Sequence, residues 1–347
     1  AEENGHDANA IWFRIADRIA MDDWTDDKAW ISRVDPRERW RSTNHLCGPG
    51  YWAWLIPLSS GSHSVGIVAD AKMHPLESIN TFEKSMAWFA EHQPQLYREL
   101  DKRRDKLQDF AFFRHFSYGC KQVFSGERWA LTGEAGLFLD PFYSPGSDFI
   151  AIGNTYIVDL IARDSRGERF AREARLYENL YFSFYRNTLA MYEKQYPMFG
   201  HAELMPLKVT WDYAYYWGVL CQFFFQNRLT DMALFTRLAD PLALCEKLNR
   251  EIQILLRHTA GSDIGRNDAI MLDQQKLPWF AELNRGLRDV LSCEQLESRL
   301  RENAMMLEGL AAEIVARIRA MGSAIPPDLG TLAALQTATS SLLREAA

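Results

Sequence analysis

No apolar run in the sequence reaches the roughly 18 residues that a membrane-spanning helix needs. Positive charge is not in excess either: Lys and Arg number 39 against 46 Asp and Glu, a formal net charge of −7, which argues against a general nucleic-acid binder. Cysteine is sparse, and Cys47, Cys120, Cys221, Cys245 and Cys293 are scattered without a C-x-x-C pair. Isolated apolar thiols in a reducing cytoplasm fit this usage, and neither a disulfide framework nor a structural metal is expected. The histidines show no H-E-x-x-H spacing, and His63 and His115, both in strand-like runs, read as packed or hydrogen-bonded residues. The opening AEENGHDANA is polar and acidic, unlike a secretory or transit peptide. There is no Walker loop. There is no G-x-S-x-G, because Ser62 stands where the first glycine before His63-Ser64-Val65-Gly66 would be required. No internal repeat is visible.

What is present is a chain of 347 residues, 47% hydrophobic and 24% charged, with room for two domains and a large core. Aromatic content is high, at 13% with 11 Trp. That much ring surface suits an apolar binding cavity as well as a core, and core is the default.

Strand patterns dominate the first part. Ile11–Ile15, Trp40–Leu46, Tyr51–Leu58 and His63–Ala69 read as strands, the last two as a hairpin around Ser59-Ser60-Gly61. Leu76–Arg104 has helical spacing broken at Pro94, and strands are expected again over Phe110–Tyr118 and Glu127–Leu131. Beyond Ile150 the pattern is helical, with a long helix over Glu168–Lys194 and a clean apolar stripe from Leu300 to Met321. The segment Trp211–Phe225 packs eight aromatics into fifteen positions, which suits either helix–helix packing or a cavity wall. A short final helix is expected after Pro326-Pro327.

Gly48-Pro49-Gly50-Tyr51-Trp52-Ala53 matches G-x-G-x-x-A literally. A dinucleotide fingerprint must open a helix, however, and these glycines precede Leu55-Ile56-Pro57, so the segment is read as a turn. More informative is Thr132-Gly133-Glu134-Ala135, followed by Asp140-Pro141-Phe142-Tyr143-Ser144-Pro145-Gly146-Ser147-Asp148. A strand end, a carboxylate and a helix N-terminus together suit a ligand bearing hydroxyls and phosphate. Equally, Ser147 and Asp148 suit a helix cap and nothing more.

This segment resembles the second flavin-contact motif, G-D-A-A…P…G, of the FAD-dependent monooxygenase and halogenase superfamily. The matching residues are Gly133, Glu134, Ala135, Pro141 and Gly146, with Glu134 in place of the usual Asp. A second match is Trp52-Ala53-Trp54-Leu55-Ile56-Pro57, a complete W-x-W-x-I-P, which resembles the signature of flavin-dependent halogenases. In a strand, Trp52, Trp54 and Ile56 share one face. The resemblance covers roughly residues 8–165. It implies an α+β fold: an antiparallel substrate-side sheet with one helix over 1–128, a flavin-contact strand–loop–helix of an FAD-binding fold over 129–165, and a helical domain over 166–347.

The resemblance further implies FAD as cofactor, held here by Gly133, Glu134, Ala135, Pro141, Gly146 and Ser147. Trp52, Trp54, Ile56 and Tyr143 would line the path to an aromatic substrate, free or carrier-tethered. Halide would lie near Pro145 and Gly146, and a flavin reductase would supply reduced FAD. Three departures bear on this. Tyr143 stands where tryptophan-type halogenases carry a substrate-orienting glutamate, which counts against free tryptophan as substrate. Pro145 removes one N–H donor from the halide position. The family's catalytic lysine has no match, since Lys28 is the one lysine before residue 51 and lacks the surrounding motif; the catalytic residue is therefore left unassigned. The family's G-x-G-x-x-G unit is likewise unmatched, so the chain reads as the C-terminal portion of such an oxidoreductase. Two alternatives stand beside a halogenase: a flavin monooxygenase or reductase without halogenation, and a non-catalytic module binding an apolar molecule.

Overall fold

The computed structural model describes residues 2–261, 273–335 and 342–343. The chain is α+β and divides into two compact units, Asp7–Ser117 and a second formed by 1–6 with 118–347.

The first unit is an antiparallel five-stranded sheet in the order β2-β3-β4-β1-β5. Its strands are β1 (Ala8–Ile15), β2 (Asn44–Gly48), β3 (Tyr51–Pro57), β4 (His63–Asp70) and β5 (Leu107–Phe113). Two strand expectations shift at their ends. Strand β2 starts at Asn44 because Arg39–Arg41 forms a 3₁₀ turn, with the Arg39 N–H and guanidinium both held by the Asp22 carboxylate at 2.8 and 2.6 Å. Strand β5 ends early because the chain turns at His115, where φ is 46° and the backbone N–H donates to the Asn9 side chain. The Gly48-Pro49-Gly50 segment is a tight turn joining β2 to β3, with Gly50 at φ 83°, the conformation a Pro-Gly turn demands.

One face of this sheet is covered. Ile11, Phe13, Ile15, Tyr51, Ala53, Leu55, Val65 and Ile67 pack with Met86, Phe89, Leu96 and Leu100. The latter come from α2 (Phe82–His92) and α3 (Pro94–Asp101), which follow a four-residue helix α1 (Lys28–Ile31). Pro94 divides α2 from α3, as a residue that cannot donate to the preceding turn must.

The second unit is mainly helical: α4 (Pro145–Ser165), α5 (Ala171–Leu189), α6 (Leu204–Tyr215), a π-helical turn (Tyr216–Leu220), α7 (Cys221–Phe225), α8 (Met232–Arg237), α9 (Ala239–Ala260), α10 (Pro278–Arg285), α11 (Cys293–Ala320) and α12 (Gly330–Ala334). Helix α11 opens on a Ser292–Gln295 capping box and buries the expected stripe, Leu300, Ala304, Leu307, Ala311, Ile314 and Ile318. The strand expected over Glu127–Leu131 does not form; the segment makes a single bridge, Phe124 to Ala130. Arg128 takes φ 61°, and the N–H groups of Val123 and Phe124 are occupied by the Glu178 carboxylate at 2.8 and 3.1 Å. A ladder cannot propagate past donors already taken. Among the described residues no helix is long and apolar enough to cross a membrane.

In the sheet, Gly66 pairs with Trp54, and a Cβ at Gly66 would lie 2.2 Å from the indole. Gly66→Ala is therefore expected to cost about 1–3 kcal/mol, read by urea unfolding, and to alter the near-UV circular dichroism of the tryptophans.

Candidate functional site

The candidate residues fall in both units. On β3 the alternation puts Tyr51, Ala53 and Leu55 in the covered core and leaves Trp52, Trp54 and Ile56 on the other face. There the two indoles lie 5.6 Å apart, Trp52 is 4.9 Å from His45, and the Trp54 Nε1 donates to Ser64 at 3.0 Å. Trp52 is buried and Trp54 half-buried. Fixed in this way, the pair is a preformed aromatic wall and not a mobile flap.

In the helical unit Gly133–Ala135 forms a 3₁₀ turn. Gly133 has φ 53°, and a Cβ there would lie 2.5 Å from Ile150, so glycine is required both for the turn and for close approach to α4. Glu134 is exposed, and its backbone carbonyl accepts from the Tyr118 hydroxyl at 2.5 Å. A second 3₁₀ turn, Pro141–Tyr143, is capped by Asp140, which accepts from the Phe142 N–H at 2.9 Å. Asp140 is fully buried and also accepts from His6 Nε2 at 2.7 Å and from the Tyr196 hydroxyl. Ser144 then takes φ 56° and α4 begins at Pro145 with no side chain capping it. Nothing lies within 4 Å of where a Cβ on Gly146 would stand. The start of a 21-residue helix thus carries its partial positive charge beside open space, the requirement for receiving an anionic or hydroxyl-rich group. Ser147 is exposed in this first turn.

Tyr143 turns to a buried polar cluster that local patterning does not reveal. Its hydroxyl donates to Asp212 at 2.7 Å. The same carboxylate accepts from Lys208 Nζ at 2.7 Å and from Gln253 Nε2 at 2.6 Å, and Lys208 also donates to the Gln253 carbonyl oxygen at 2.7 Å. Burial, followed by the neighbouring Asp212 carboxylate, raises the Tyr143 phenol well above its ordinary value, which keeps its proton in place for the bond to Asp212. Lysine and aspartate four apart on α6 were the available signal, but such a pair usually marks a solvated helix face. Here both side chains are buried.

Tyr143, Asp148, Asp212 and Tyr216 line a small cavity of about 30 Å³. Burial raises the Asp148 carboxyl, with a Tyr216 hydrogen bond acting the other way. Burial also pushes the thiols of Cys47, Cys221 and Cys245 up to about 12, which leaves them protonated and unreactive at neutral pH. Among the described residues no group of three or more His, Cys, Asp or Glu is placed to hold a metal ion.

The class the fold defines is α+β, with an antiparallel sheet unit and a helical unit whose helix α4 starts without a side-chain cap. Comparison with known proteins narrows it. No family model matches the chain. The chain is 24% identical over 241 residues to the flavin-dependent halogenase chlA of Dictyostelium discoideum, covering 64% of this chain and 40% of that protein. It is 30% identical over 99 residues to the 1H-pyrrole-2-carbonyl-[peptidyl-carrier protein] brominase of Pseudoalteromonas luteoviolacea (strain 2ta16), covering 28% and 24% of the two chains. Halogenase PltM, in its crystal structure with phloroglucinol and FAD, shares the fold at a TM-score of 0.52 and 16% identity, over 98% of this chain and 63% of that one. The chain spans less than half the length of these two curated relatives. Its sequence is similar to those of flavin-dependent halogenases over these spans, the superfamily its two motifs resemble.

Two outcomes test the buried groups. Lys208→Met leaves Asp212 as an unpaired buried charge and is expected to cost about 3–5 kcal/mol, while Lys208→Met with Asp212→Leu recovers most of that loss; urea midpoints of the single and double variants measure both. For Asp148, a folded-state pKa above the unfolded one means that the ionised form opposes folding above the folded pKa. That opposition vanishes below the unfolded value of about 3.9. Asp148→Asn is therefore expected to raise the urea midpoint at pH 7, with the gain shrinking to nothing as the pH falls below about 4.

Proposed function

We propose that this chain is the substrate-side and helical portion of a flavin-dependent halogenase-type oxidoreductase acting on an electron-rich aromatic, free or carrier-tethered. The observation that carries the reading is the uncapped start of α4 at Pro145–Gly146, with open space above Gly146, preceded in the chain by the Gly133-Glu134-Ala135 and Pro141–Tyr143 turns. These residues fit one end of an FAD. The exposed Glu134 carboxylate is suited to accept from ribityl hydroxyls. The N–H groups of Gly146 and Ser147 are suited to face its electron-rich atoms, and Pro141 holds the loop between them. Reduced FAD, delivered by a separate reductase, would supply the electrons for oxygen activation.

The protein's own part is placement and exclusion. Trp52, Trp54 and Ile56 offer a rigid apolar wall against which an aromatic ring can pack. Tyr143, tied to Asp212, contributes shape and no negative charge. No proton-transfer residue is assigned, because no lysine of this chain matches the family position.

One observation favours oxygenation without halide. Pro145 lacks an N–H at the junction where the resemblance sets the halide, which leaves Gly146 and Ser147 as the donors.

The two readings separate in one assay. The full-length protein that carries this portion receives reduced FAD, oxygen and bromide with a panel of phenols, indoles and pyrroles, the last also as carrier thioesters. A brominated product is expected, and Gly146→Leu should lower its rate by about tenfold or more without shifting the melting temperature, since the new side chain enters open space. Oxygenated product that forms equally without bromide would assign the monooxygenase reading. Neither product from any member of the panel overturns both.

A further inference from the structure

The small cavity beside the start of α4 has a composition that the flavin reading does not use. It measures about 30 Å³, and the half-buried side chains around it are Tyr143, Asp148 of α4, Phe184 of α5, Tyr213 of α6, and Tyr216 and Leu220 of the π turn. Tyr143 and Tyr213 stand at 75° to one another with ring centroids 5.4 Å apart, and form adjoining walls. Three phenol rings and a phenyl ring thus surround one carboxylate. Among the described residues lining the cavity there is no lysine, arginine or histidine. Asp148 meets the Tyr216 hydroxyl, and among the described residues no cation pairs with it. The helix start offers it only a partial positive charge. Burial outweighs that, raising the carboxyl above its ordinary value. The other carboxylate at the cavity, Asp212, is sealed from solvent and already neutralised by Lys208 at 2.7 Å.

Electron-rich ring faces around a carboxylate that lacks a counter-charge are the arrangement that receives an organic cation. An anion would meet Asp148 with nothing to offset the repulsion. The volume narrows the cation further. About 30 Å³ is the share of one water molecule in the liquid, which matches an –NH₃⁺ group and is too small for a trimethylammonium. The adjoining space of about 290 Å³ shares Phe184 and Leu220 with this cavity, but its carboxylate, Glu246, is already paired with Arg250 at 2.9 Å. We infer that the cavity beside Asp148 binds the primary ammonium group of an alkylamine, its N–H groups donating to the Asp148 carboxylate and its charge against the tyrosine rings. The binding does not rest on the flavin reading, and neither flavin nor halide is needed to observe it.

The test is isothermal calorimetry on the full-length protein that carries this portion, at neutral pH and without flavin. The probe is n-butylammonium chloride, with sodium chloride holding the ionic strength constant. Saturable binding is expected, weakened about tenfold or more for 1-butanol, which has the stem but no charge, and for butyltrimethylammonium, whose charged head exceeds the space. Asp148→Asn should lower n-butylammonium affinity by a similar factor while its urea midpoint does not fall, so that lost binding is not lost folding. Glu246→Gln, in the adjoining space, should leave the affinity unchanged. Saturating n-butylammonium should raise the urea midpoint of the unaltered protein and not that of Asp148→Asn. Absence of saturable binding, equal affinity for the alcohol or the trimethylammonium, undiminished binding by Asp148→Asn, or lost binding in Glu246→Gln would each overturn the inference. The three-ligand series on the unaltered protein decides the matter even if a variant fails to fold.

Discussion

The arrangement of the loop leading into α4 depends on two buried carboxylates, Asp140 and Asp212. Asp140 receives His6, Tyr196 and the Phe142 N–H, and by doing so fixes the 3₁₀ turn over Pro141–Tyr143. Asp212 receives Tyr143 at the end of that turn, together with Lys208 and Gln253. Between them the loop is anchored at both ends, and the chain has little choice but to pass through the left-handed Ser144 into Pro145. A buried carboxylate is tolerable only where its oxygens are supplied with donors. Here both are supplied in full, and α4 starts beyond them with no side-chain cap from Ser144.

Much of the sheet was legible because alternation and turn residues specify it locally. The hairpin of β3 and β4 and the Pro49-Gly50 turn need nothing from distant residues. Three strand limits differ from the pattern where a side chain from elsewhere claims the backbone, while the helix expected over Glu168–Lys194 is shorter, Ala171–Leu189. Asp22 holds Arg39 and delays β2, Asn9 takes the His115 N–H and ends β5, and Glu178 occupies the donors that a strand near residue 127 would need. Such captures join residues 17 to 106 positions apart, and periodicity has no term for them.

The candidate site was legible to a different degree. Gly133 and Gly146 were identified by motif, and their geometry gives each a physical reason: the first for conformation and close packing, the second for open space. What the sequence could not convey is that Tyr143 joins a buried ion pair. The Lys208–Asp212 spacing is indistinguishable from a surface pair until the burial of α6 is known. The aromatic excess likewise divides only in three dimensions. Phe13 and Phe89 are core of the sheet unit, Trp52 and Trp54 form its second face, and Tyr156 and Phe223 enclose a cavity in the helical unit.

The cavity and the loop share structural elements, which constrains how either can change. Phe184 of α5 and Leu220 of the π turn line both the 290 Å³ pocket and the 30 Å³ cavity beside Tyr143 and Asp148. Helix α4 likewise contributes Asp148 to the small cavity and Ile152 and Tyr156 to the large one. A close-packed interior transmits displacement and does not absorb it. A substitution at Phe184 or Leu220 therefore changes the walls of both spaces at once, and Leu220 sits in the π turn, whose position is set in turn by the Asn303 bond to the Gly218 carbonyl.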